Sequence, residues 1–251
     1  MTVAVNGTGV PSLIDASGAF ETCRVKRGKV LRLGHHLDRL RASLKGIGLL
    51  QWDEREARGE LIRSAAGLAD GYLRIAVRRN DSPRVLVHRQ ERLPYTPQQA
   101  RRGLSVTTVP SRMPQVEAVQ GRVKSSERLS GIFARMEAPR ADEVLRLSAH
   151  GYVTEGTVSN LFLVKAGELI TAPAWSGVLE GITRAGVIRA ARAMKVPVKE
   201  TPFTRHDLFN AEEVFLTNVL MGVLPVREVD GRRIGGKLPG PLTRKLMRAM
   251  A

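Results

Sequence analysis

Three short stretches of the chain hold side chains able to do chemistry. Gly121-Arg122-Val123-Lys124-Ser125-Ser126-Glu127-Arg128 places a lysine where an irregular segment meets an expected helix. Thirty-one positions later (155 − 124), Val153-Thr154-Glu155-Gly156-Thr157-Val158-Ser159-Asn160-Leu161-Phe162 sets a carboxylate and an asparagine around a strand start. Leu179-Glu180-Gly181-Ile182-Thr183-Arg184 then opens a helix with a glycine and a hydroxyl. The first N–H groups of a helix have no intrahelical acceptor and form a natural phosphate site. A lysine amine is a Schiff-base donor, a carboxylate is a partner for a pyridine nitrogen, and a helix N-terminus is a phosphate anchor. Together these are the parts that pyridoxal phosphate requires. Singly, they read as a surface lysine, a turn glutamate and a helix cap; only their ordered combination points to the cofactor.

Other motifs have simpler readings. Gly231-Arg232-Arg233-Ile234-Gly235-Gly236-Lys237 has the spacing of a phosphate loop, but Leu238, Pro239 and Gly240 follow where a hydroxyl and a helix are needed. A hairpin at Asp230-Gly231 is the better expectation. His35-His36 lacks further ligands at metal-site spacing, so no metal is expected there and the pair reads as packing or capping a helix start. Cys23 lies mid-strand without an assignable His or Asn partner and reads as a small packing residue. Asn6-Gly7-Thr8 and Asn80-Asp81-Ser82 match glycosylation acceptors by accident if the chain is not secreted.

The elements that must position these residues follow from hydrophobic spacing and turn chemistry. Ala19–Lys26 and Lys29–Leu33, separated at Arg27-Gly28, form a predicted hairpin. Leu37, Leu40, Leu44 and Ile47 repeat at a helical period within 35–49, and a second helix is expected over 53–68. Gly71–Arg79 alternates as a strand, Asn80-Asp81-Ser82-Pro83 turns, and strands are expected over 84–88 and 104–109. Pro110–Gly121, with two prolines and no periodicity, reads as a linker. Beyond it the pattern predicts helices over 126–136, 182–194 and 241–250. Strands are expected over 143–147, 158–164, 168–171, 196–201, 213–217 and 225–229, with a turn at 149–151. Mixed helices and hairpin-linked strands argue an α+β fold in two halves, 1–109 and 122–251, joined by a linker at 110–121.

Composition narrows the class. The 251 residues are 43% hydrophobic and 25% charged, enough apolar material for a core. No apolar run reaches the ~18–20 residues that cross a bilayer, so no membrane partner is expected. Met1–Pro11 has neither a basic start nor an apolar segment, and the single cysteine suits a reducing compartment; a cytoplasmic location is expected. The 40 Lys+Arg against 24 Asp+Glu leave +16, yet the basic residues are scattered and aromatics are 4% of the chain. That pattern suits attraction of anionic metabolites better than base stacking, and no nucleic acid is expected.

The order of motifs resembles the class IV (fold-type IV) pyridoxal-phosphate enzymes. These include branched-chain aminotransferases, D-amino-acid aminotransferases and 4-amino-4-deoxychorismate lyase. Phe20-Glu21-Thr22-Cys23-Arg24-Val25, His36-Leu37-Asp38-Arg39-Leu40, Lys124, the run from Glu155 to Phe162, and Gly181-Ile182-Thr183-Arg184 appear in the family's succession. The resemblance implies two domains with the cofactor, pyridoxal 5'-phosphate, at their interface, a homodimer, and a small-molecule amine or amino-acid substrate. It implies that Lys124 is the Schiff-base lysine and moves the proton. Glu155 is the implied partner of the pyridine nitrogen. Arg39 is an implied phosphate ligand, with Gly181, Ile182 and Thr183 supplying backbone and hydroxyl contacts. Val219 stands where transaminases have a phosphate-binding threonine, so a contact there would come from backbone. Arg24 and Arg74 match positions near the substrate carboxylate, and Asn218 is an expected substrate contact.

Within that family, Asn218-Val219-Leu220-Met221-Gly222-Val223-Leu224-Pro225-Val226 is similar to the lyases. Leu129, five residues past Lys124, stands where many transaminases have a tyrosine. The short Pro11–Ala19 segment lacks the family's Asp-Arg-Gly…Gly-Asp-Gly stretch, which implies an altered substrate-side wall. The resemblance therefore implies a lyase making 4-aminobenzoate and pyruvate from 4-amino-4-deoxychorismate. The alternatives are a transaminase of D- or branched-chain amino acids and a non-catalytic basic binding protein.

Overall fold

The computed structural model describes residues 18–78, 84–113, 123–124 and 129–251. The turn expected at Asn80–Pro83, both glycosylation-like sequences, most of the 110–121 linker and the residues from Ser125 to Arg128 lie outside them. The chain divides into two compact units, Met1–Pro94 with Arg122–Arg128, and Tyr95–Gly121 with Leu129–Ala251.

The first unit is an antiparallel sheet backed by two helices. Its elements are β1 (Gly18–Lys26), β2 (Lys29–Val30), α1 (Leu33–Gly46), α2 (Glu54–Ala65), β3 (Asp70–Arg78) and β4 (Arg84–Gln90), with strand order β2-β1-β3-β4. Arg27 and Gly28 both take positive φ, 50° and 71°, which matches the right-handed twist of the strands they join. Leu37, Leu40 and Leu44 of α1 pack against Ala19, Cys23, Val25, Leu73, Ile75 and Val77. Each buried leucine stabilises by roughly 1.5–3 kcal/mol. Alternation then sends Phe20, Thr22 and Arg24 to the opposite face of β1, where they too are buried.

The second unit is built on nine strands. Its elements run α3 (Pro97–Arg102), β5 (Leu104–Arg112), α4 (Leu129–Glu137), β6 (Glu143–Leu147), β7 (Val153–Gly156), β8 (Asn160–Lys165), β9 (Glu168–Thr171), α5 (Ile182–Ala193), β10 (Val198–Glu200), α6 (Arg205–Phe209), β11 (Glu213–Asn218), β12 (Gly222–Val229), β13 (Arg232–Arg233) and α7 (Pro241–Met250). The strand order β10-β9-β8-β11-β12-β5-β6-β7 returns to β8 through a β7–β8 pairing, so six strands close on themselves. One core draws residues from all six, among them Val106, Leu145, Val153, Leu161, Leu216 and Val226. On the other side of β8 and β11, Phe162 stacks on Phe215 at 5.1 Å beneath α5 and α7.

Several elements differ from the sequence expectation. Pro110–Arg112 belong to β5, because Arg112 pairs with Leu147 across a register shift that accommodates the proline. Leu104–Val109, assigned by pattern to the N-terminal half, pairs in parallel with β12 and β6 of the second unit. Helices α3 and α6 were not expected. Both begin with a capping box, Thr96 with Gln99 and Thr204 with Asp207, a signal readable in the sequence. The Asp230-Gly231 hairpin is present, pairing Val229 with Arg232. No helix among the described residues is long and apolar enough to cross a membrane.

Candidate active site

In the first unit the candidate residues gather around β1. The Phe20 N–H donates to the Lys124 carbonyl at 3.0 Å, and the Lys124 N–H donates to Ser43 Oγ of α1 at 3.2 Å. Lys124 is thereby fixed at the edge of β1 that the two-residue β2 does not reach. Its Nζ lies 4.9 Å from the Phe20 ring centroid, and the Arg74 guanidinium carbon lies 5.5 Å from the same ring. Both distances allow cation–π attraction. Two cations at one ring form a surface suited to an anion, and among the described residues the buried Arg74 Nε has no hydrogen-bond partner.

The helix-facing side of β1 holds Glu21, fully buried. Arg39 Nε donates to its Oε1 at 2.6 Å and Arg39 Nη2 to its Oε2 at 2.8 Å, a bidentate pair, while His36 Nδ1 donates to Oε2 at 2.8 Å. Burial alone pushes the Glu21 carboxyl up, but Arg39 and His36 overcome it and bring it down to about 2. Burial lowers the proton affinity of His36, keeping the ring neutral. Burial also pushes the neighbouring Cys23 thiol up, which suits packing and not nucleophilic attack. Arg24 donates to the Gly71 carbonyl at 2.8 Å and pairs with Asp70, so part of its guanidinium serves the β1–β3 junction.

In the second unit the pairing register aligns Glu155 with Asn160 and Asn160 with Thr217, one row across β7, β8 and β11. Directly paired residues share a face of a sheet, so these three side chains lie together. Glu155 Oε2 accepts from Asn160 Nδ2 and from the Leu179 N–H, both at 3.0 Å, and its Oε1 accepts from Arg146 Nη2 at 3.2 Å. Glu143 shapes the adjoining turn. It accepts from the Thr157 and Val158 N–H groups and from the Thr157 and Ser159 hydroxyls.

Helix α5 opens against this row. Gly181 is its N-cap and gives no side-chain cap, so the first N–H groups, including those of Ile182 and Thr183, lie beyond the helix's own acceptors. A Cβ at Gly181 would collide with Asn160 Oδ1, so only glycine allows this approach. Among the described residues, the hydroxyls of Thr183 and Thr217 are both buried without a partner. Buried hydroxyls ordinarily have one. Orphaned donors beside an uncapped helix start fit a phosphate, and a carboxylate in the same row fits a ring nitrogen.

Asn218 ends β11 with its amide saturated. Nδ2 donates to the Tyr95 hydroxyl at 3.0 Å and to the Val158 carbonyl at 3.2 Å, and Oδ1 accepts the N–H groups of Leu220 and Met221 at 2.8 Å. It shapes the turn; the Val219 N–H is not among those it takes. Sequence reasoning missed Glu21, Ser43, Arg146 and Thr217. Glu21 and Thr217 adjoin recognised motif residues, whereas Ser43 and Arg146 gave no local signal.

Known proteins bear directly on this arrangement. The model of the amino-transferase class IV family matches residues 18–229. A protein of Methanocaldococcus jannaschii, provisionally named a branched-chain-amino-acid aminotransferase, is 35% identical over 93% of this chain and 86% of its own. A branched-chain amino acid aminotransferase from T.th., solved with pyridoxamine 5'-phosphate, superposes with a TM-score of 0.84 at 29% identity, covering 93% of this chain and 84% of that one. The 4-amino-4-deoxychorismate lyase of Pseudomonas aeruginosa superposes with a TM-score of 0.85 at 28% identity, covering 98% and 94%. A lysine tethered to a strand edge, a buried carboxylate and an uncapped helix start thus stand within a match that spans most of the sequence, and the chain belongs to the class IV aminotransferases, enzymes that depend on pyridoxal 5'-phosphate.

Proposed function

We propose that this enzyme is a lyase converting 4-amino-4-deoxychorismate to 4-aminobenzoate and pyruvate, acting in the cytoplasm as a homodimer. The observation that carries the reading is the Asn218 turn. Its amide oxygen binds the N–H groups of Leu220 and Met221, giving a structural reason for the lyase-like Asn-x-Leu-Met sequence leading to Pro225-Val226. The likeness in fold to the Pseudomonas aeruginosa lyase, with a TM-score of 0.85, is in keeping with the same reading.

In this reading Lys124 Nζ would hold the cofactor covalently. Glu155 would accept a hydrogen bond from its ring nitrogen, Ile182, Thr183 and Thr217 would donate to its phosphate, and Arg39 would be a further phosphate ligand. When bound, pyridoxal phosphate supplies an electron sink conjugated to the substrate nitrogen. Lys124 Nζ would take the proton from the substrate carbon that bears the amine. The C–O bond on the adjacent carbon breaks, the enolpyruvyl group takes up a proton and leaves as pyruvate, and the ring is left aromatic. Arg74, with its unpartnered Nε beside Phe20, binds a substrate carboxylate.

A second reading, a transaminase of branched-chain or D-amino acids, is favoured by the 35%-identical archaeal relative. The deciding experiment incubates the purified holoenzyme with 4-amino-4-deoxychorismate, and separately with L-leucine or D-alanine plus 2-oxoglutarate. Pyruvate and 4-aminobenzoate from the first mixture, without glutamate from the second, support the lyase. Glutamate formation without lyase product overturns it in favour of the transaminase.

A further inference from the structure

The strand pair that presents Glu155 also presents a cation to it. In β6 and β7, Leu145 pairs with Gly156 and Leu147 with Val153, with a register shift between. One residue of β6, Arg146, therefore stands opposite two of β7, Thr154 and Glu155. Such a bulge re-aims side chains. The Thr154 hydroxyl donates to the Arg146 carbonyl at 2.8 Å, and Arg146 Nη2 reaches Glu155 Oε1 at 3.2 Å. In an unbroken ladder Glu155 would share the face of Val153, which lies in the apolar core. The extra residue turns it to the face of Arg146.

Arg146 is 8% exposed and Glu155 7%. Charges so far from water are weakly screened. Among the described residues, Arg146 Nη1 makes a long contact, 3.5 Å, to Ser130 Oγ, its Nε has no partner, and Glu155 is the anion this guanidinium meets. A positive charge beside a carboxylate lowers that carboxylate's affinity for a proton and opposes a second positive charge on its far side.

We propose that Arg146 is a positioning residue that weakens the electron sink. By pairing with Glu155, it lowers the protonation of the cofactor's ring nitrogen and so disfavours transfer of the substrate's nitrogen to the cofactor. The inference rests on the assignment of Glu155 as the ring-nitrogen partner. It adds a control of reaction type that lies one residue behind the carboxylate. A sink of moderated strength suits a reaction whose electrons leave with a departing group, because charge need not accumulate on the ring.

The test uses holoenzyme loaded with cofactor labelled with nitrogen-15 in the ring, in wild type, Arg146→Gln and Arg146→Lys. Glutamine keeps a donor for Glu155 and removes the charge; lysine keeps the charge. In R146Q the nitrogen-15 resonance is expected to move toward the pyridinium position, and the single-turnover rate of half-transamination with D-alanine to rise about tenfold, the effect of one unit of proton affinity. R146K is expected to retain the wild-type resonance. Coincident resonances in wild type and R146Q, or equal movement in both variants, overturn the role of Arg146. If R146Q fails to fold, Arg146→Met, which also removes the charge, takes its place: a resonance moved toward the pyridinium position supports the proposal, and one coincident with wild type overturns it. A further control, Glu155→Gln, separates the two levels of the argument. If it leaves the wild-type resonance where it was, the assignment of Glu155 itself fails.

Discussion

Phe20 grips Lys124 twice: its N–H donates to the lysine carbonyl at 3.0 Å, and its ring lies 4.9 Å from the lysine ammonium. In the roles proposed for Lys124, a side chain that both holds a cofactor and carries a proton needs a fixed main chain and a movable tip. The strand-edge hydrogen bond supplies the first. An ammonium at the end of a flexible stem, held over an aromatic face, supplies the second.

Replacing Lys124 with alanine is expected to remove both roles at once. Visible absorbance of the purified protein should vanish, and turnover should fall about a thousandfold or more, the scale of a lost acid–base group. In wild type, borohydride reduction followed by peptide mapping should place the label on Lys124. A label on any other residue refutes the assignment.

The buried group formed by Glu21, His36 and Arg39 makes the first unit acid-sensitive. Glu21 is held at about 2 against 4.5 when unfolded, so its contribution, about 3 kcal/mol, is complete above pH 4.5 and is lost as pH falls toward 2. His36 acts in the same direction from higher pH. Its proton affinity is lowered in the fold, so the unfolded chain binds the proton first, and stability begins to fall below about pH 6.5. Urea midpoints measured between pH 7 and pH 3 should therefore decline throughout. In Glu21→Gln the decline below pH 4.5 should flatten, while the protein is less stable at pH 7 because Arg39 loses its anion. A wild-type profile flat across this range contradicts the account.

The sequence made some of this legible and hid the rest for physical reasons. Leu37, Leu40 and Leu44 fall at a helical period because α1 has one buried face, and Leu73, Ile75 and Val77 alternate because β3 has one. Lys124, Glu155 and Gly181 stand out as candidates through their neighbours in local motifs. Strand β7 was not expected, because Val153-Thr154-Glu155-Gly156 is short and buries a carboxylate and a hydroxyl, so no apolar alternation announces it. Arg146 gave no signal either. An arginine inside a five-residue buried strand acquires its partner only through the bulge opposite, a property of the pairing and not of either strand alone. The saturation of Asn218 was equally invisible, since its partners Tyr95 and Val158 are 123 and 60 positions away.

Asn218→Ala tests whether that residue shapes the turn. It leaves two buried or half-buried N–H groups and the Tyr95 hydroxyl without partners, at a cost of about 1–3 kcal/mol for each fully buried group. Tyr95, whose acidity burial already suppresses to about 12, cannot compensate by ionising at neutral pH. Thermal unfolding of the variant should come several degrees earlier, and substrate KM should change less than kcat, because the loop and not a substrate contact is lost. A raised KM with unchanged stability would restore Asn218 to the substrate.

Gly181→Ala probes the approach of α5 to the Glu155 row. The added methyl would collide with Asn160 Oδ1, and Asn160 Nδ2 is one of the donors holding Glu155. Overpacking of this kind typically costs about 1–3 kcal/mol. The variant should fold, bind cofactor about tenfold more weakly in an absorbance titration, and lose activity in proportion to unfilled sites. Wild-type cofactor affinity would show that the helix start does not touch the phosphate.

Thr183→Val separates stability from binding most cleanly. Among the described residues the Thr183 hydroxyl is buried and unpartnered, a state that costs free energy, so exchanging it for a methyl group of similar size should leave the cofactor-free protein equally or more stable. If that hydroxyl is kept as a phosphate donor, the same change should weaken cofactor binding about tenfold, the worth of one hydrogen bond to a charged group. Unfolding temperatures of the apo and loaded forms should then move apart: apo unchanged or raised, loaded lowered. Parallel movement of both would mean that the hydroxyl serves the fold alone, and the phosphate would have to be held by the backbone of α5 without it.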